Sequence, residues 1–145
     1  MALPEGKEYM GRKWTTFQVL KALLANYPAD TPGPVRITTS VPDLHSAIAK
    51  LQNNPRYTPF IGEYVFQRRS YFPFCRELQT DLGNLELSRH LSAMNPDFIT
   101  YELRDKLTKT FDKYDRSLFD AAELETLENV ARDFKENVET SVIAS

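Results

Sequence analysis

FDKYDRSLFDAAEL, Phe111 to Leu124, is the stretch on which the fold turns: Asp112 to Glu123 is twelve residues with a carboxylate at each end. Before it, Ile99, Leu103, Leu107, Phe111 and Tyr114 step by four, four, four and three, the spacing of one buried helical face. After it, Leu124, Leu127, Ala131, Phe134 and Val138 alternate steps of three and four, which predicts a helix over about 120–140. Asp120 and Glu123 make a capping box at its start. The stretch therefore predicts helix, loop, helix, and asks whether the acids between hold a cation.

Working outward, the same signals recur. Phe17, Leu20, Leu24 and Tyr27 predict a helix over about 15–27, with Thr15 and Gln18 as its capping box and Trp14 packed at its entry. The turn-rich ADTPGPVRITTS ends in two or three extended residues. Ser40 caps a second helix with Pro42 in its first turn and Leu44, Ile48 and Leu51 on one face, until Asn53-Asn54-Pro55 stops it. Thr58-Pro59 opens a third, carrying Phe60, Ile61, Tyr64, Val65, Tyr71 and Phe72 as far as Pro73. A short helix from about Asn84 bears Leu87, Leu91 and Met94, and Asn95-Pro96 separates it from the next. The expected fold class is all-α: about six helices in helix-loop-helix pairs, with at most very short β bridges. Residues 1–145 read as one domain, or as two small lobes over about 12–72 and 73–145.

Composition bounds the function. Apolar residues at 41%, charged residues at 26% and five glycines describe a chain that folds, and a net charge of −2 supplies no global field for nucleic acid or anionic lipid. No apolar run approaches the roughly 20 residues of a membrane helix. The single Cys75 excludes a disulfide framework, and a reducing, cytoplasmic setting is expected. His45 and His90 lack metal-ligand spacing, and no phosphate loop or nucleophile motif occurs, so neither catalysis nor a cofactor is expected.

LRDKLTKTFDKYDRSLFDAAELETL resembles an EF-hand of the calmodulin and myosin-light-chain kind over its entering helix, loop and exiting helix. Counting Asp112 as position 1, Phe119, Asp120 and Glu123 fall at positions 8, 9 and 12, where such a loop wants an apolar residue and two ligands. Positions 3, 5 and 6 hold Tyr114, Arg116 and Ser117, so two ligands and the glycine turn are missing and no metal is expected. VRITTSVPDLHSAIAKLQNNP is similar to the second half of such a hand, and FCRELQTDLGNLEL aligns with FDKYDRSLFDAAEL at an offset of 37. The resemblance implies a calcium-independent, protein-binding subunit of a larger complex, with helix pairs splayed around an amphipathic or basic partner helix. It also implies that Ile37, Leu82 and Phe119 meet in short β bridges. Phe60, Tyr64, Phe66, Leu103, Leu107, Leu127 and Phe134 would line the groove, and the acidic last helix would favour a basic partner.

Arg56 to Arg76 supports an alternative. It holds four Arg and one Glu with seven aromatic residues. Arginines beside rings can pair with phosphates and stack on bases, so Arg56, Arg68, Arg69 and Arg76 are candidate nucleic-acid or acidic-partner contacts. That would suit a structural component of a viral or ribonucleoprotein assembly with an unrelated helical fold. It requires the arginines to be exposed rather than turned to the interior or the last helix.

Overall fold

A computed structural model of the chain describes residues 14–29, 35–69, 72–94 and 99–144. Three helices begin where local capping chemistry places them. Helix α1, Thr16–Ala25, starts in a reciprocal box: Gln18 N–H donates to Thr15 Oγ1 at 3.2 Å and Thr15 N–H to Gln18 Oε1 at 2.9 Å. Strand β1, Val35–Thr39, leads into helix α2, Val41–Leu51, whose Ser40 cap accepts from Asp43 N–H. Helix α6, Ala121–Ala144, begins with Asp120 and Glu123 each accepting the other's backbone N–H at 2.8 Å.

Between these lie helix α3, Thr58–Ile61, the hairpin β2, Gln67–Arg69, with β3, Phe72–Phe74, and helix α4, Arg76–Leu87. Strands β4, Leu91–Met94, and β5, Ile99–Leu103, then precede helix α5, Asp105–Thr110. β5 is the middle strand of an antiparallel sheet ordered β1-β5-β4, with Ile37 opposite Tyr101 and Ala93 also opposite Tyr101.

The all-α expectation is therefore overturned by five strands. The physical reason is periodicity. Ile99 and Leu103 are four apart, which suits one helical face and equally one strand face, and Ile-Thr-Tyr-Glu-Leu favours the strand through its β-branched and aromatic residues. Asn95-Pro96, expected between two helices, lies outside the described residues. The third expected helix stops at Ile61, and the aromatic run beyond it pairs as β2 with β3, Pro73 opposite Arg68 on a two-stranded edge. The expected start at Asn84 is the third turn of α4 instead.

Ile37, Leu82 and Phe119, expected to meet in short β bridges, make other contacts. Ile37 pairs with Tyr101, while Leu82 is buried inside α4. Phe111–Asp115 forms a π turn and Arg116–Leu118 a 3-10 turn, so the step from α5 to α6 has its own geometry. The wider π turn shifts the helical phase: Tyr114, expected inside, is 62% exposed, and Asp115 is buried in its place. Lys21 Nζ lies 2.6 Å from Asp115 Oδ2, which has no other partner among the described residues. Arg116 pairs with Asp112 at 2.8 Å, so the residue at loop position 5 sits on the acid at position 1. Among the described residues, no group of three or more His, Cys, Asp or Glu could hold a metal ion.

One core joins residues from both halves of the chain, with Trp14 stacked on Phe60 at 5.3 Å and close to Phe119 at 4.8 Å. Phe60, Tyr64, Leu107, Leu127 and Phe134 belong to it, each 6% exposed or less, and Phe66 and Leu103 pack half-buried against it. Five of the seven residues expected to line a partner groove are thus buried in the chain's own core.

Candidate nucleic-acid interface

Helix α4 turns Leu78, Asp81, Leu82 and Leu85 inward. The opposite side presents Arg76, Thr80, Asn84 and Leu87, all exposed, with Gln79 and Gly83 partly covered between them. Leu87 is 83% exposed. Of the acids of this helix, Asp81 is buried, Glu86 is half-buried and Glu77 is exposed beside Arg76. Glu77 accepts from Thr16 Oγ1 on α1 at 3.2 Å, and Glu86 is half-buried with its carboxyl pushed up by desolvation.

Several buried polar contacts hold α4 in place. At its start, Cys75 Sγ accepts from Leu78 N–H at 3.4 Å, a weak cap where an oxygen is usual. His45 on α2 is fully buried; its Nδ1 accepts from Cys75 N–H at 3.1 Å, which leaves Nε2–H to meet Gln79 Oε1 at 2.9 Å. Its ring stacks on Phe74 at 4.7 Å, and burial lowers its pKa. Along the inner face, Tyr64 Oη donates to Asp81 Oδ2 at 2.7 Å, and burial pushes both groups up. At the far end, His90 N–H reaches Leu85 O at 2.9 Å and Arg89 N–H reaches Glu86 O at 3.0 Å, closing the helix as a Schellman motif. The His90 ring lies 2.6 Å from Ser88 Oγ and 3.1 Å from Thr110 Oγ1, and burial, then Lys21 and Lys106, hold its pKa low.

One residue inside this helix and one just past its end lower its stability. Gly83 lies inside the helix, where glycine costs about 1 kcal/mol against alanine. A Cβ there would meet nothing within 4 Å, so no internal packing calls for glycine. Arg89 has φ 64, a left-handed conformation that costs a non-glycine residue about 1 kcal/mol. It is the only positive-φ residue other than glycine among the described residues.

Beside the start of α4, Val65, Gln67, Phe74, Cys75, Arg76, Glu77 and Thr80 line an open groove of about 560 Å³ between the helix and the β2–β3 hairpin. Arg68 on that hairpin is exposed, as is Arg76, and neither they nor Arg89 pair with an acid among the described residues. Arg56 is exposed at the α6 side of the molecule, beside Tyr57, whose hydroxyl donates to Asp133 at 2.5 Å and is pushed up to about 12 by burial and by that acid. The Arg69 side chain lies outside the described residues. Of the four candidate arginines, the structure therefore places Arg68 and Arg76 near one helix and Arg56 apart from them.

Cys75 and His45 do not form a nucleophile and base. The imidazole Nδ1 is taken by the Cys75 amide, and burial raises the thiol pKa, away from the thiolate that nucleophilic chemistry needs. Leu87, expected on the face of a short helix with Leu91 and Met94, is instead exposed on α4; Gly83 and Arg89 were not singled out by the sequence, and a glycine inside a helical pattern was the one available sign. Among the described residues, no helix is long and apolar enough to cross a membrane. No family model, curated protein or solved structure matches the chain.

Proposed function

We propose that the chain is a non-catalytic binding module that contacts double-stranded nucleic acid through the outward face of α4. The observation that carries this is the placement of exposed arginines at both ends of α4, Arg76 and Arg89, with Arg68 exposed on the adjoining β2–β3 hairpin and a single exposed acid, Glu77, engaged by the Thr16 hydroxyl. Arg, Gln, Asn and Thr are the side-chain types that meet base edges in a major groove, and a helix of about 10–12 Å fits a groove of about 12 Å. The surroundings agree with that use. α2 and α4 meet through His45 as two helices of a widened helix-turn-helix, with α3 and the β2–β3 hairpin inserted between them, and the β4–β5 hairpin follows as a wing. This is a likeness of arrangement, and the arginines, not the arrangement, bear the chemistry. With a net charge of −2 the attraction must be local, so modest affinity and strong salt dependence are expected.

The test is anisotropy of a short labelled DNA duplex titrated with the full chain. Binding should weaken with salt at a logarithmic slope of about −3, for about −0.9 per phosphate and three phosphate contacts. Arg68→Ala and Arg76→Ala should each reduce that slope by about one. An absence of duplex binding at 50 mM salt overturns the proposal.

A second reading is favoured by Leu87 and Val65, 83% and 71% exposed: a protein partner in a cytoplasmic complex, docked through an amphipathic or basic helix. Its mark would be salt-tolerant complex formation that Leu87→Ala weakens and duplex DNA does not compete away.

A further inference from the structure

Gly83 and Arg89 break local rules in opposite senses. A residue with a side chain fits where glycine stands, and glycine fits where a side chain stands. Exchanging either toward the local optimum asks nothing of the core, since Gly83 has open space outward and Arg89 is exposed. Proteins that carry such concessions carry them where a surface has work to do. Gly83 lies inside α4 and Arg89 just past its C-terminal end, on the helix that Arg76 begins, so one occupant can account for both.

Resting on the proposal that α4 contacts a duplex, we infer that Gly83 is the point of closest approach of the helix backbone to the groove. Arg89 delivers its guanidinium to a backbone phosphate at the far end of α4. Thr80, one turn before Gly83, is small enough to leave the same path open. Arg76 and Arg89 then bracket the helix, one at each end, so that its length lies along the duplex between two phosphate contacts.

The experiment pairs thermal unfolding with duplex anisotropy on the full chain. Gly83→Ala should raise the unfolding midpoint by about 3 °C and weaken duplex binding at least tenfold, a gain and a loss from one methyl group. Arg89→Gly should also raise the midpoint while reducing the salt slope by about one, and Arg89→Lys should restore the slope without the stability. If Gly83→Ala and Arg89→Gly bind the duplex as the wild type does, while Arg76→Ala does not, the roles of Gly83 and Arg89 are overturned and duplex binding by α4 stands. If the wild type binds no duplex, both fall together. A lowered midpoint in Gly83→Ala would show an internal reason for the glycine and overturn its role whatever the binding.

Discussion

Helices α4 and α6 are built to different specifications. α6 opens with a reciprocal oxygen cap, buries Leu127, Val130, Ala131, Phe134 and Val138 in one stripe, and exposes charged residues on the other side. Its start and its buried stripe both point toward stability. α4 opens with a sulfur cap, buries Asp81 among its leucines, carries glycine inside and ends on a left-handed arginine. It is held less by its own chain than by what its neighbours supply: the His45 ring, the Tyr64 hydroxyl and the Thr16 hydroxyl. The difference separates a helix stabilised by its own local devices from one that depends on its neighbours, as the proposed contact role of α4 would allow.

Breaking α6 should have the largest effect. Phe134→Ala empties a fully packed site beside Tyr27, and a loss of about 3–5 kcal/mol in denaturant unfolding is expected. Tyr64→Phe removes one of the two hydroxyl donors around Asp81, Thr16 being the other, and should cost about 1 kcal/mol; an unchanged stability would mean that Thr16 alone satisfies the carboxyl. Asp120→Ala deletes the oxygen cap of α6 and should cost about 1 kcal/mol by the same measurement.

Acid should act on α4 first. His45 and His90, at the two ends of that helix, both have folded pKa values below 6.5, so on acidification the unfolded chain takes up protons before the folded one. Their contribution is complete above about 6.5 and is lost as pH falls toward the lowered values. Unfolding midpoints should therefore drop below that point, and His45→Asn should flatten part of the slope. Hydrogen exchange should loosen α4 before α6, and the reverse order would contradict the comparison. The smallest stability effect is Leu87→Ala, within about 0.5 kcal/mol because the side chain is 83% exposed.

The caps at Thr15, Ser40 and Asp120 were legible because they are settled within four residues, and the helices they open lie where the periodicity put them. The strands were not, for the opposite reason. Ile99 and Leu103 satisfy two periods at once, and only the presence of β1 on one side and β4 on the other makes the extended form the better one. The candidate groove residues carry a similar ambiguity: Phe60, Tyr64 and Phe134 announce burial, and nothing local says whether the chain or a partner buries them. Among the arginines, composition identified the cations, while their separation into Arg68 and Arg76 near α4 and Arg56 toward α6 follows from the hairpin that the sequence did not reveal.

What the sequence by itself determined is what short-range chemistry determines: where the capped helices begin, the acidity of α6, and the supply of arginine in residues 56–76. The tertiary structure alone decided that β5 lies between β1 and β4, that the π turn puts Asp115 inside against Lys21, and that Gly83 faces open space. Those outcomes depend on contacts between residues far apart in the chain, whose energies exist only once the neighbours are in place.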